Sequence, residues 1–301
     1  MQIDHPYSHS KQAHYLAVSG LLFGALCWGV IWYPYRVMAE LGVSGVASSF
    51  YTYAITLLMA GLLFAKHWRG VFQQPFSIVY LGLVAGWTNL AYVLAVIDGE
   101  VMRVMLLFYL SPLWTLILAH FYLKEKTHAQ GYLAIAIALI GAFIMLYDPA
   151  LSLWPVPRNA ADWLALSSGM GFSLTNVYTR QANHLSLREK SFAVWVGVLF
   201  VSVLFMLFSQ VAWPSPSFFS LNHWLVMGFI ALLLLAATLL VQYGVTKIPA
   251  TRASVVFLFE LVVAAIASYY LANESMTINE WLGGGLIVLA GVFASQSNAS
   301  D

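Results

Sequence analysis

Long apolar runs separated by short polar breaks repeat along the chain, and each run is close to the length of one bilayer crossing. A spanning helix needs about 20 predominantly apolar residues. Ten segments fit, near Tyr15–Met38, Val46–Ala65, Phe76–Ile97, Val101–Leu123, Ala129–Tyr147, Asp162–Arg180, Ser191–Ser209, His223–Thr246, Ala253–Leu271 and Trp281–Gln296. The breaks carry charge or turn residues, as at Lys66–Gly70, Asp98-Gly99-Glu100, Lys124-Glu125-Lys126, Asp148-Pro149 and Ile248-Pro249. The longest connection, 148–161, holds Pro149, Pro155 and Pro157 and parts five segments from five. The expected organisation is a tail (1–14), a five-helix unit (15–147), a linker (148–161), a second five-helix unit (162–297) and a short tail (298–301).

The two units repeat a phrase. Arg103–Glu125, RVMLLFYLSPLWTLILAHFYLKE, aligns without a gap on Arg252–Glu274, RASVVFLFELVVAAIASYYLANE, Arg on Arg and Glu on Glu. With five crossings per unit, the second must enter the membrane upside down relative to the first. The expected fold is therefore an all-α integral membrane protein of ten transmembrane helices, built as two inverted five-helix repeats.

Composition agrees with a bilayer environment. The chain is 61% hydrophobic and 8% charged, against about 25% charged residues in a soluble domain. A net charge of +1 implies no nucleic-acid partner. Cys27 is the only cysteine, so no internal disulfide is expected. With the N-terminus in the cytoplasm, Lys11, Lys66, Arg69, Lys124, Lys126, Arg180, Arg188, Lys190, Lys247 and Arg252 fall inside, and only Arg36, Arg103 and Arg158 outside. The bias predicts both termini on the cytoplasmic side of a cell inner membrane. Arg36, Arg103, Arg180 and Arg252 lie near helix ends, where contact with lipid headgroups is the expected role.

Trp28-Gly29 in the first segment, Ser111-Pro112 and Leu123-Lys124-Glu125 in the fourth, and Pro249-Ala250, Asn273-Glu274, Thr277 and the glycine-rich Gly283–Gly291 in the second unit carry a resemblance. The chain resembles the drug/metabolite transporter superfamily, specifically its EamA-type exporters with two EamA repeats. It departs at Phe50-Tyr51-Thr52-Tyr53, where many members place an arginine, and at Glu260-Leu261, where many have a proline-containing pair like Ser111-Pro112. The resemblance implies export of amino acids or similar metabolites, with organic cations and drugs as alternatives.

Glu260 is the sharpest chemical feature. It is a lone carboxylate near the middle of an apolar segment, and a charge at that depth costs about 2.5–3.5 kcal/mol on insertion scales. Ala264, Ala267 and Ser268 follow at helical spacing, a small face suited to the inside of a bundle. The functional reading is a cation site or proton-coupling carboxylate in a central cavity. The structural reading is a protonated or hydrogen-bonded Glu that ties helices together. Ser111 aligns with Glu260 and is expected to approach it, while Pro112 is expected to kink the fourth helix. Asn89 and Tyr92, Thr175, Asn176 and Tyr178, and Thr238, Gln242 and Tyr243 lie on candidate inward faces, either lining a path or binding helix to helix. Trp28, Trp32, Tyr109 and Trp114 are candidates for an aromatic wall around a cationic or aromatic ligand. Gly20 and Gly24 form a GxxxG pattern, read as close packing.

No HExxH, P-loop, GxSxG or Cys/His metal spacing is present. The chain is therefore read as a non-enzyme without cofactor or metal. Its expected partners are a small-molecule substrate such as an amine-containing compound, the lipid bilayer, and protons as the candidate coupling ion. A secondary transporter is the leading reading. A gradient-independent facilitator and a non-transporting scaffold or receptor are the alternatives, the last expecting no open cavity around Glu260.

Overall fold

A computed structural model describes residues 6–64, 75–123, 129–146, 157–182, 184–209, 213–248, 253 and 256–297. The breaks at Lys66–Gly70, Lys124–Lys126 and Asp148-Pro149, together with Glu125, Pro249, Arg252 and the C-terminal tail, lie outside the described residues. Among those described there is no strand. The helices are α1 (Pro6–Glu40), α2 (Gly45–Phe64), α3 (Pro75–Asp98), α4 (Val101–Phe108), α5 (Ser111–Leu123), α6 (Ala129–Leu146), α7 (Ala160–Gln181), α8 (Leu187–Ser209), α9 (Leu221–Lys247), α10 (Phe259–Ala272) and α11 (Ile278–Ser297). A 3₁₀ turn, Pro216–Phe218, precedes α9.

Among the described residues, six segments are long and apolar enough to cross a membrane: Ala13–Glu40, Gly45–Phe64, Phe76–Asp98, Val101–Leu123, Leu187–Ser209 and Leu221–Lys247. Two shorter apolar helices, Phe259–Ala272 and Ile278–Ala290, accompany them. α7 has a more polar composition, and its Ser168, Ser173, Thr175, Asn176 and Thr179 are buried inside the bundle. α1 begins at Pro6, so much of the expected tail is helical. Proline suits this first helical position because its missing N–H would have had no intrahelical partner.

Large apolar side chains point outward as well as inward. Leu62, Phe76 and Phe208 are almost wholly exposed, which fits a surface bathed in acyl chains rather than water. Inside, α1 packs on α9 and α10, α2 on α8 and α9, α3 on α7 and α8, α4 and α5 on α7, and α6 on α11. Lipid gives little hydrophobic drive for helix association, so close backbone approach through small residues matters more. α3 and α8 meet this way. A Cβ on Gly82 would come within 2.8 Å of the Ala193 carbonyl, and one on Gly197 would collide with the Gly82 carbonyl. Gly20 packs against Leu240 and Gly24 against Val241, so the GxxxG face is spent within the chain on α9.

The fourth and ninth segments are not continuous helices. α4 stops at Phe108 and α5 starts at Ser111. Pro112 has no N–H to offer the Phe108 carbonyl four residues earlier, and its ring crowds that carbonyl. Gly169 of α7 lies directly against the same carbonyl, where a Cβ would collide. The ninth segment is interrupted at Leu258, between helical Val256-Phe257 and α10. There the Leu261 amide bonds the Leu258 carbonyl at 3.1 Å, a tighter turn than an α-helix makes. In the aligned phrases Tyr109 stands opposite Leu258, so the two interruptions occupy equivalent positions.

Gly197→Ala is expected to push α3 and α8 apart and destabilise the detergent-solubilised protein by about 1–3 kcal/mol. Gly285→Ala, where a new Cβ meets nothing within 4 Å, is the control and should leave thermal unfolding within about 0.5 kcal/mol of the parent.

Candidate functional site

Phe108 and Glu260, which flank the two interruptions, both line one cavity of about 100 Å³. Its walls come from α1, α2, α3, α4, α7, α8, α9 and α10. Glu260 stands in the first turn of α10 and is buried. Its helix turns Ala264, Ala267 and Ser268 inward and leaves Val262, Ile266, Tyr269 and Tyr270 exposed, so the carboxylate sits on the small, inward face. Its Oε2 accepts a hydrogen bond of 2.6 Å from the Tyr109 hydroxyl. The same hydroxyl lies 2.7 Å from the Phe257 carbonyl, just before the interruption. Among the described residues no basic side chain pairs with Glu260.

One side of the cavity is aromatic. Trp28, Phe108 and Phe172 line it, with Phe257 packed behind. Ring centroids lie 5.9 Å apart for Trp28 and Phe172, 5.7 Å for Trp28 and Phe257, and 5.2 Å for Phe108 and Phe172. Another side is polar. Asn89 donates to the Tyr53 hydroxyl at 2.7 Å. Asn89 Oδ1, Thr175 Oγ1, Asn176 Nδ2 and Gln242 Oε1 are buried without a protein partner. Buried polar groups are normally hydrogen-bonded, so a cluster of such atoms around one cavity marks a surface suited to polar ligand groups or water.

Of the residues singled out from sequence, Trp28, Asn89, Tyr92, Thr175, Asn176, Thr238, Gln242 and Glu260 line this cavity. Six others do not. Tyr109 stands behind the carboxylate as its donor. Ser111 does not supply the contact expected of it: its carbonyl accepts from Ser173 Oγ at 2.7 Å, and the interruption between Phe108 and Ser111 presents Tyr109 to Glu260 instead. Trp32 is turned off the Trp28–Ile31–Tyr35 stripe; its indole N–H bonds the Gly29 carbonyl at 2.9 Å and Arg36 stacks over its ring. Trp114 and Tyr243 are half-buried against the core. Tyr178 packs edge-on against Tyr80, with centroids 4.6 Å apart. The lining also includes Ile31, Tyr35, Tyr53, Thr88, Phe108 and Phe172, which sequence reasoning missed. Ile31 and Tyr35 follow Trp28 at helical spacing and were findable. Tyr53 lies in a segment with no charged residue to mark its inward face.

One end of the bundle is latched by charge, which corrects the headgroup role expected of Arg36 and Arg103. Arg36 donates to the Val96 and Gly99 carbonyls at 2.8 and 2.6 Å and pairs with Glu274 at 2.9 Å. Arg103 forms a two-pronged pair with Asp162 at 2.9 and 2.8 Å. These arginines take carboxylates and helix-end carbonyls of the protein itself as partners. Arg180 resembles Arg36 in donating to a helix-end carbonyl, that of Ile248, at 2.9 Å. Among the described residues no group of His, Cys, Asp and Glu is arranged to hold a metal.

The EamA-like transporter family model matches twice, over residues 15–147 and 159–296. The chain belongs to the EamA-like transporter family. This places it in the drug/metabolite transporter superfamily, as a multi-pass membrane transport protein. Similar proteins include the uncharacterized transporter YoaV of Bacillus subtilis (strain 168), 23% identical over 91% of this chain and 94% of its own. An uncharacterized transporter of Archaeoglobus fulgidus is 24% identical over 74% and 77%. An S-adenosylmethionine uptake transporter of Rickettsia prowazekii (strain Madrid E) is 25% identical over 73% and 72%. A solved crystal structure matches the fold of this EamA-like transporter with a TM-score of 0.62, covering 96% of this chain and 98% of its own at 15% identity.

Asp162→Asn is expected to strand the Arg103 guanidinium and destabilise the protein by roughly 3–5 kcal/mol, whereas replacing both partners with Met and Leu should recover most of that loss. Thermal unfolding of the single and double variants in one detergent measures the difference.

Proposed function

We propose that this EamA-like transporter is a secondary active exporter of small amine-bearing metabolites, working by alternating access around Glu260. The observation that carries this reading is the buried carboxylate, without a basic partner among the described residues, in a cavity walled by aromatic rings. A carboxylate held so deep is stabilised by a cation that arrives from outside, either an ammonium or a proton. The rings of Trp28, Phe108 and Phe172 suit the body of such a ligand, and their faces attract positive charge. Among the described residues no Lys, Arg or His lines the cavity, which disfavours multiply anionic substrates. S-adenosylmethionine, named for the Rickettsia relatives, is a molecule with a positive sulfonium and an ammonium. That name supports a cationic ligand for this site, and its word "uptake" supplies the second reading, import by the same machinery.

The proposed architecture is ten membrane helices in two inverted five-helix repeats, residues 15–147 and 162–297, joined by the linker 148–161, with both tails cytoplasmic in an inner membrane. Three observations support it. The family model matches once in each half. Packing pairs recur when the halves are exchanged: α1 on α9 mirrors α7 on α3, and α1 on α10 mirrors α7 on α4 and α5. The bond from Arg36 to the Gly99 carbonyl has its counterpart in the bond from Arg180 to Ile248. In transporters built this way the site lies at the repeat interface between discontinuous helices, and access alternates as one half rocks against the other.

A thermal-shift screen of the purified protein against amino acids, nucleosides, polyamines and quaternary amines should find stabilisation by an amine, since a ligand bound only to the folded state raises apparent stability. Glu260→Gln should abolish coupled transport of that amine in liposomes while the variant remains folded in the membrane; full transport by the variant would remove Glu260 from the site. An imposed proton gradient should change the transport rate of the parent protein, and flux indifferent to pH on both faces would make it a facilitator.

A further inference from the structure

Tyr109 occupies a position that neither its own helix nor the cavity lining explains. It is buried and sits in the interruption of the fourth segment. Its hydroxyl touches two acceptors of the ninth, Glu260 Oε2 at 2.6 Å and the Phe257 carbonyl at 2.7 Å. A phenol has one proton to donate. The two acceptors therefore compete for it, and the charged one holds the stronger claim because hydrogen bonds to ionised groups are shorter and stronger.

The consequences run along two half-helices. α4 leads from Val101 to Phe108, next to Tyr109, and α10 leads from Phe259 to Ala272. The two pack together and are tied at both ends. At one end Tyr109 bonds Glu260 and Phe257. At the other, the Met102 amide reaches Glu274 Oε2 at 3.4 Å, and Glu274 is the carboxylate that latches Arg36. α10 is about 21 Å long at 1.5 Å per residue, so it spans from the site to the latch as one rigid element.

We propose that Tyr109 is the positioning residue that couples occupation of Glu260 to the latched end of the molecule. This rests on the reading of Glu260 as the ligand-binding carboxylate. While the carboxylate is charged and empty, Tyr109 binds it and holds α4 against α10. An ammonium on Glu260 draws the carboxylate's charge away from the phenol. The hydroxyl then turns to the Phe257 carbonyl alone, the tie to α10 is lost, and the Arg36–Glu274 latch is left with one support fewer. Tyr109 thus touches the binding group rather than the substrate, and sets the geometry of the two interrupted segments.

The test needs no substrate. Spin labels at Leu41 and Leu271, both exposed and close in sequence to the ends of α1 and α10, report the width of the latched end by pulsed dipolar spectroscopy on a Cys27→Ser background in liposomes. Glu260→Gln removes the charge as a bound cation would, and Tyr109→Phe removes the hydroxyl and keeps the ring. Each is expected to raise a longer-distance population, and the double variant to show no more than either alone, because both break one link. Additive shifts, or an unaltered distribution in both single variants, would overturn the proposal. Glu260→Asp keeps the charge and withdraws it by one methylene. It should widen the latched end as Tyr109→Phe does, and a parent-like distribution would show that charge alone matters and Tyr109 does not. Loss of transport in Glu260→Gln together with additive distances would sink this coupling and leave the transport reading standing. Unchanged transport with non-additive distances would take Glu260 out of the binding site and overturn the coupling with it, leaving the Tyr109–Glu260 bond a structural tie between the two segments.

Discussion

A backbone buried in lipid has no water to bond, so every N–H and C=O must find a partner within the protein. This chain departs from regular helix at two aligned places, Tyr109-Leu110 and Leu258, and the residues beside them, Phe108 and Glu260, line the same cavity. The Phe257 carbonyl freed there receives the Tyr109 hydroxyl, and the Phe108 carbonyl lies against Gly169, where any side chain would collide with it. Irregular backbone is tolerated at membrane depth only where protein or a cavity surrounds it, and that condition places the interruptions in the middle of the bundle and Glu260 beside them.

Charge is arranged with the same economy. The two arginines at one end are matched by carboxylates, Arg36 by Glu274 and Arg103 by Asp162. Glu260, in contrast, is given a neutral donor instead of a cation. A paired carboxylate would be a structural tie, closed to any arriving ligand. One held by a phenol keeps an acceptor for a partner from outside. The contrast between Glu260, in the first turn of α10, and Glu274, two residues past its end, separates a candidate binding site from a latch by what lies opposite each.

The pairs of helices that carry the cavity are brought together by glycine. Gly82, Gly86 and Gly197 let the backbones of α3 and α8 approach, and Gly20 and Gly24 do so for α1 and α9. Asn89 and Tyr92 on α3, Val194 on α8, Trp28 on α1 and Gln242 on α9 reach a common space because these crossings are tight.

Much of this was legible in the chain itself. Long apolar runs with few charges allow only helices in a membrane. The aligned Arg-to-Glu phrases matched one half of the chain to the other, as the family model does, and the small residues after Glu260 showed which way it faces, since a helix's period assigns side chains to faces. Pro112 announced the first interruption. The second carries no proline and appeared only in the tertiary structure, as did the partner of Glu260. Periodicity is measured along one unbroken helix. It says nothing of how far a helix rotates after an interruption, which is why Tyr109 and not Ser111 meets the carboxylate. Nor does it say which distant helix lies opposite, which is why Tyr53, Phe172 and the carboxylate partners of Arg36 and Arg103 depended on packing among helices far apart in the chain.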